Sequence, residues 1–556
     1  MEKINLQKVF ERLSQHSVDS VQSGTVLSDF DAYMHVSRPI EAQLKNKMEE
    51  IDHVGGGIIF LVGSAGDGKS HLISRIKQTC KWDEQCFYND ATASCSPKLT
   101  AVDTLKNALS AFKDKNIFTT NKKLLLAINL GKLNAFIEDP DVETEYKELV
   151  RATRPIFDDD DTTPPMESSR IKVIQFSNFQ PYEFHKDDTS SYPVSSPFLS
   201  ELLEKITKPV ENNPFYKAYQ QDLLENINPL HPLLLNYQLL SIPEVRNTIC
   251  MVVIEAIIRF NLFITPREFL DFIYEIMVYP NLDTYNESKE FFEALLPTLL
   301  YVGGTNEIQK AVSKLDPLKQ SCTKHDKDLS VLFTSYAIPD NYLMLNTKAH
   351  LLEELIDRTN KFYCNNGKDI ERTTKFVFRL KHLMSYHSES DKYIYFLSLL
   401  RGVFNNDLKT LRKIYQEVAN DIPRHCGTYY NAKPNMIPLN IQGGKYRMFG
   451  SLTLNTQPTA YIYNSCYYFL PYFMMSWKVG GDKIDLKVDY RLYSYLYDLS
   501  HGKLALAYEN DKDIAFSRFV RKLTELCNCE DQITIASSDG SEMRLYKTFL
   551  NTLELQ

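Results

Sequence analysis

Up to about residue 197, short unbroken apolar runs alternate with stretches of three–four apolar spacing. Ile58–Val62, Cys86–Thr92, Lys123–Gly131 and Lys172–Phe176 read as strands. The two runs richest in apolar residues, Ile58–Val62 and that around Leu124–Ile128, predict strands covered on both faces. Four strands alternating with helices predict a mainly parallel sheet with helices on both sides, and a ligand site at the strands' C-terminal edge. Pro39 after Arg38 predicts a helix over Ile40–Ile51, because proline suits a first turn. From Phe198 to Asp421 the period is helical, clearest in Phe198–Ile206, Val245–Phe260, Pro266–Val278, Phe291–Leu300 and Tyr393–Phe404. Thr265-Pro-Arg-Glu268 combines an N-cap, a first-position proline and a first-turn acid.

Near Gly427 the texture changes again. Thr428–Gly450 is rich in Asn, Pro and Gly and reads as irregular. Strand-like stretches follow at Ser451–Asn455, Tyr468–Val479 and Lys483–Tyr490, then a helix at Asp513–Cys527 and a hairpin over Gln532–Lys547 about Ser538-Asp-Gly540. The expected organisation is a helical lead-in (1–54), an α/β core of the P-loop NTPase, AAA-like class (55–197), a helical middle or lid domain (198–426) and a C-terminal α+β domain (427–556). Arg151–Ser169, with its run Asp158–Asp161, and His185–Pro197 read as exposed loops.

Composition narrows the function. A chain of 556 residues is too long for one core. Its formal net charge of −8 argues against a surface that coats nucleic acid as a whole and leaves room for a local basic stripe. The longest apolar segments, such as Ile249–Ile258, are too short to span a bilayer and carry Glu255. The first residues, MEKINLQKVFERLSQHS, lack the apolar core of a secretion signal, so the expected compartment is the cytoplasm and the ten cysteines are expected as thiols. Cys527 and Cys529 form a lone CxC with no second half, and His425 beside Cys426 reads as an ordinary loop or core pair.

The chemistry concentrates in one turn. Gly63-Ser64-Ala65-Gly66-Asp67-Gly68-Lys69-Ser70 satisfies GxxxxGK[ST] at every fixed position, between a strand and a helical stretch beginning at His71. Glycines let backbone N–H groups curl round a phosphate, and the helix start adds partial positive charge. Lys69 is expected on the β- and γ-phosphates of ATP and Ser70 on Mg²⁺. Asp67 is an odd passenger, tolerable only with its side chain turned away. No strand ends in the usual Asp-Glu pair. Asp90, with Thr92, is therefore assigned to Mg²⁺ and water, or else caps the next element. Asn129 is assigned to the γ-phosphate, like the sensor asparagine of AAA-type ATPases, or else to a tight turn. His35, Val36 and Ile40 are expected walls of the adenine pocket, or else parts of a simple helix start. Arg267 sits where a lid could present an arginine to the γ-phosphate, with Arg151 and Arg154 as rivals delivered from a second copy in a homo-oligomer.

His35-Val-Ser-Arg-Pro-Ile-Glu41, the Ile58–Ser70 stretch, Asp90-Ala-Thr92 and Ala127-Ile-Asn-Leu-Gly-Lys-Leu133 together resemble the DptF family. The resemblance is strongest over residues 15–185. It implies the P-loop ATPase component of a bacterial DNA restriction and antiphage defence system tied to phosphorothioate modification, with DptG- and DptH-like partners and DNA met through the complex. No PD-(D/E)xK run or HNH-like cluster is visible. Lys445, Arg447, Lys478, Lys487, Arg491, Lys503, Arg518, Arg521 and Lys522 lie among tyrosines, a pairing that suits nucleic acid or an ordinary sheet surface. The expected function is an ATP-binding and -hydrolysing subunit; the alternative is a nucleotide-dependent scaffold or signalling NTPase with little hydrolysis of its own.

Overall fold

The computed structural model describes residues 3–22, 28–89, 101–157, 167–228, 230–320, 323–335, 338, 355, 357–361, 367–427, 436–439, 446–452, 454–456, 471–479, 481–503, 513–527, 532–537, 541–547 and 552–555. The chain forms two compact units. The first comprises Met1–Glu183, Ser196–Ile254 and Phe263–His387; the second comprises Phe184–Ser195, Glu255–Leu262 and Ser388–Gln556. The second unit thus takes in the last helices of segment 198–426 together with the C-terminal strands.

The first unit opens with α1 (Asn5–Gln22), α2 (Asp29–Met34) and α3 (Pro39–Val54), followed by β1 (Gly57–Gly63) and α4 (Lys69–Thr79). Then come β2 (Phe87–Asn89), α5 (Ala101–Ala108), β3 (Lys123–Asn129), α6 (Leu130–Ile137), α7 (Pro140–Glu145), α8 (Lys147–Thr153) and β4 (Ile171–Gln175). The four strands form one parallel sheet in the order β2-β3-β1-β4, as the alternation of elements implied. All seven positions of β1 are buried, because strands pair on both edges and helices cover both faces. Side chains alternate. Ile58, Phe60 and Val62 join Leu126, Phe136 and Leu149 in the core beneath α5–α8. Ile59 and Leu61 join Leu44 and Ile51 of α3 and Ile73 and Ile76 of α4. Each such buried side chain contributes about 1.5–3 kcal/mol. Lys172 on β4 is tolerated in this layer because its ammonium meets Glu50 of α3 at 2.5 Å.

Five successive helices then begin with proline: α9 (Pro197–Thr207), α10 (Pro214–Leu224), α11 (Pro232–Leu240), α12 (Pro243–Phe260) and α13 (Pro266–Met277). Ser196 caps α9 through the Leu199 N–H, and Asn213 caps α10 through that of Phe215. Thr265 and Glu268 close a reciprocal capping box on α13. The helix expected over Phe291–Leu300 shrinks to Leu296–Leu299, with turns before it. Pro297 lacks the N–H a continuous helix would use and starts a fresh turn instead.

In the second unit, Tyr472–Val479 pairs antiparallel with Asp482–Asp489 and, along its other edge, with Asn455–Thr456. Its buried face carries Phe473, Met475 and Trp477; the Trp477 ring lies 5.0 Å from Tyr415 and 4.9 Å from Phe519. A five-stranded antiparallel sheet includes Gln532–Ser537 paired with Glu542–Lys547, the expected hairpin; its turn, 538–540, lies outside the described residues. The segment expected to be irregular contributes two strands to that sheet, Met436–Pro438 and Tyr446–Ser451. A helix not foreseen, Tyr490–Ser500, follows directly, with Asp489 accepting from the Leu492 N–H at 2.8 Å. Among the described residues no helix is long and apolar enough to cross a membrane.

Candidate functional site

The loop between β1 and α4 is shaped by two residues in the left-handed region, Gly66 at φ +87° and Gly68 at φ +88°. Space is as limiting as conformation. A Cβ on Gly66 would stand 3.1 Å from Thr265 Oγ1 of the α13 cap, and one on Gly68 would stand 2.9 Å from Arg38 Nη2. The loop therefore nests between the start of α3 and the start of α13. It delivers the chain to α4 with Gly68 as N-cap, so that Gly68, Lys69, Ser70 and His71 line a cavity. The first-turn N–H groups of a helix have no intrahelical partner and carry its positive end.

The charged side chains of the loop engage its own backbone at Ser64. Lys69 Nζ donates to Ser64 O at 2.5 Å. Asp67 turns away from the cavity, as its presence in such a loop requires: its carboxylate is buried, accepts from the Ser64 N–H and closes on Gly63. Burial pushes that carboxyl up to about 6, against the pull of Lys69, the Ser64 N–H and Arg38. Arg38 donates to Asp67 O at 3.0 Å, with its guanidinium 5.2 Å from the Phe176 ring and 5.7 Å from that of Phe198. Burial brings the guanidinium down to about 10, with Asp67 and Glu41 opposing.

Ser70 Oγ accepts from Asn89 Nδ2 at 2.8 Å, across from the end of β2. Asn89 was not singled out in the sequence; its neighbour Asp90 was. Asp90 and Thr92 lie outside the described residues. Asn129 stands opposite Gly63 in the β1–β3 register, so the expected strand brings it to the loop's edge. Its side chain there caps α6, Oδ1 accepting from the Lys132 N–H at 2.8 Å, and it is exposed rather than part of the cavity wall.

The cavity measures about 280 Å³. Ala65, Gly66 and the α4 start form one end. The other end is an apolar recess with Val36 and Ile40 beside α3, Phe198 and Leu202 on α9, and Pro266 and Leu270 on α13. His35, Val36 and Ile40 line the same cavity as the loop, and the segment is also the entry to α3, which starts at Pro39. His35 Nδ1 meets His71 Nε2 at 3.0 Å, while His35 Nε2 lies 3.4 Å from the buried Glu41 carboxylate. Burial lowers the His35 pKa, partly offset by Glu41. Arg267, at the second position of α13, lines the same cavity. The rival arginines do not: Arg151 is exposed on α8, and Arg154 pairs with Glu143 at 3.4 Å.

Chemically, the cavity joins an anion-favouring end, made of a helix start, an ammonium and a hydroxyl, to an apolar slot. Sequence reading missed Asn89, Arg38 and Phe198. For Arg38 and Phe198 a signal existed in their position directly before a proline and directly after one, at helix starts. For Asn89 there was none, because its partner is set by strand order. Comparison with protein-family models, with curated proteins and with solved structures finds no match for this chain.

Proposed function

We propose that the first unit binds ATP with Mg²⁺ and hydrolyses it, the loop Gly63–Ser70 acting as a phosphate loop. One observation carries the reading: a single cavity runs from the start of α4, with Lys69 and Ser70, into an apolar recess walled by Val36, Phe198 and Leu270, and Arg267 stands on its side. Its volume of about 280 Å³ is near the lower end for small-molecule sites, about 300 Å³. The phosphates take the amides and Lys69; the base takes the recess. Ser70, oriented by Asn89, fits a magnesium ion, which prefers oxygen donors and keeps several waters. When bound, that ion offsets charge on the phosphates. Arg267 lends a cation to the same cavity, and Asn129 stands at the loop's edge, where its side chain has to leave the α6 cap to orient water.

The resemblance to DptF supports a finer reading, a cytoplasmic ATPase subunit of a phosphorothioation-dependent restriction complex that acts on DNA together with DptG- and DptH-like partners. The test is steady-state phosphate release by the full chain with and without DNA and those partners, beside direct titration with ATP. Binding with turnover stimulated by the partners supports the proposal; no ATP binding by the wild-type chain overturns it. A second reading, a nucleotide-dependent scaffold with little hydrolysis, is favoured by one observation: the described strand ends beside the loop, on β2 and β3, carry Asn89 and Asn129 rather than carboxylates. Tight binding without turnover, partners present, selects it.

A further inference from the structure

An acid inside a loop that serves anions is a conflict, and the structure shows how it is managed. The Asp67 carboxylate is only 2% exposed, accepts from the Ser64 N–H and packs on Gly63. The charged groups that face it are Lys69 from α4, Arg38 from the segment before α3, and Glu268 from α13. Lys69 holds Ser64 by its carbonyl while Asp67 holds it by its N–H, so one residue ties the loop's cation and its acid together.

We infer that nucleotide binding at this loop takes up a proton and that Asp67 receives it; the inference rests on the triphosphate reading above. In the free protein burial already holds this carboxyl at about 6, so that roughly nine in ten remain ionised at pH 7. A triphosphate changes its surroundings twice. It draws Lys69 off Ser64 O toward the phosphates, which removes the largest electrostatic support of the carboxylate. It also brings several negative charges to the cavity end formed by Gly66, Gly68 and Lys69, the residues flanking Asp67. Both changes favour the neutral acid. One proton passes from solvent to a carboxyl oxygen of Asp67, and no other bond forms or breaks. A neutral carboxyl is the weaker acceptor, so it loosens the Ser64 N–H and frees that donor for the phosphate.

The experiment is calorimetric titration of the full chain with MgATP at pH 7 in buffers of differing ionisation enthalpy, which counts protons taken up per nucleotide. Wild-type is expected to take up on the order of half a proton more than the Asp67→Asn variant. Relative to that variant, its affinity is expected to weaken about fivefold from pH 6 to pH 8, as the linkage of a proton to the bound state requires. The nucleotide's own phosphates and His35 titrate in both proteins and cancel in the difference. Should the variant fail to fold or to bind, infrared difference spectra of the wild-type chain decide: a protonated-carboxyl band must grow on adding MgATP. Equal uptake in both proteins, or tight wild-type binding with no uptake and no such band, overturns the inference and leaves the site reading intact. Absence of wild-type binding overturns the site reading and the inference with it.

Discussion

Removing the ammonium of Lys69 separates the nucleotide role of the loop from its architecture. In the free protein Lys69 occupies the first position of α4 and donates to Ser64 O at 2.5 Å. A cation there opposes the positive end of the helix by about 0.3–1 kcal/mol, and alanine is the better helix former. Loss of the partly exposed hydrogen bond works the other way by about 1 kcal/mol. Stability of the free Lys69→Ala protein should therefore stay within about 1 kcal/mol of wild-type. Binding is different. Charge-assisted contacts to two phosphates are worth about 1.5–3 kcal/mol each, less about 1 kcal/mol for releasing Ser64 O. The net loss of roughly 2–5 kcal/mol weakens MgATP affinity by about 30-fold to several thousandfold. Calorimetric titration of both proteins, with thermal melts in the presence and absence of MgATP, reads both halves; the nucleotide-induced rise in melting temperature should vanish in the variant. Affinity retained within threefold would refute the phosphate role. A free variant melting far below wild-type would show Lys69 to be a structural strut.

Asn89→Ala removes the donor on Ser70 Oγ and is expected to raise the Mg²⁺ concentration for half-maximal turnover about tenfold or more, with nucleotide affinity in EDTA unchanged; a magnesium titration of phosphate release checks it. Asp421, wholly buried, holds its carboxyl at about 6 through burial, opposed by Ser500 and Arg424. A pKa raised above the unfolded value stabilises fully below about pH 4 and is lost as pH rises through about 6, up to about 3 kcal/mol in all. The second unit should therefore unfold more readily at pH 7.5 than at pH 5, and Asp421→Asn should flatten that slope. Trp82 and Trp477 are the chain's two tryptophans, one in each unit, so fluorescence in a Trp82→Phe background reports the second unit alone. Trp477→Ala, which empties the space between Tyr415 and Phe519, should destabilise that unit by about 3–5 kcal/mol, read as lost hydrogen-exchange protection along Tyr472–Val479.

Much of the core was legible because its signals are local. An unbroken apolar run such as Ile58–Val62 demands cover on both faces wherever it sits, and the structure covers it with α3 and α4 on one side and α5–α8 on the other. Thr265-Pro-Arg-Glu268 carries its own helix start, and the observed capping box uses those very side chains. Local signals misled where two of them competed. The strand expected over Lys483–Tyr490 forms as Asp482–Asp489, but Asp489 then caps a tyrosine-rich helix, Tyr490–Ser500, that the reading did not foresee. The apolar spacing of Phe291–Leu300 reads as helix, yet Pro297 divides it.

The sequence by itself determined the glycine loop, the strand and helix on either side of it, and the spots where helices begin, since each depends on residues a few positions apart. Only the tertiary structure decided what faces the loop. It set Asn89 on Ser70, Arg38 between two phenyl rings behind Asp67, and the start of α13 against Gly66. It also turned the Asn129 side chain to an α6 cap. Apart from that local cap, the partners lie 19 to about 200 positions apart in the chain, and strand order and helix packing, which no local window encodes, bring them into contact.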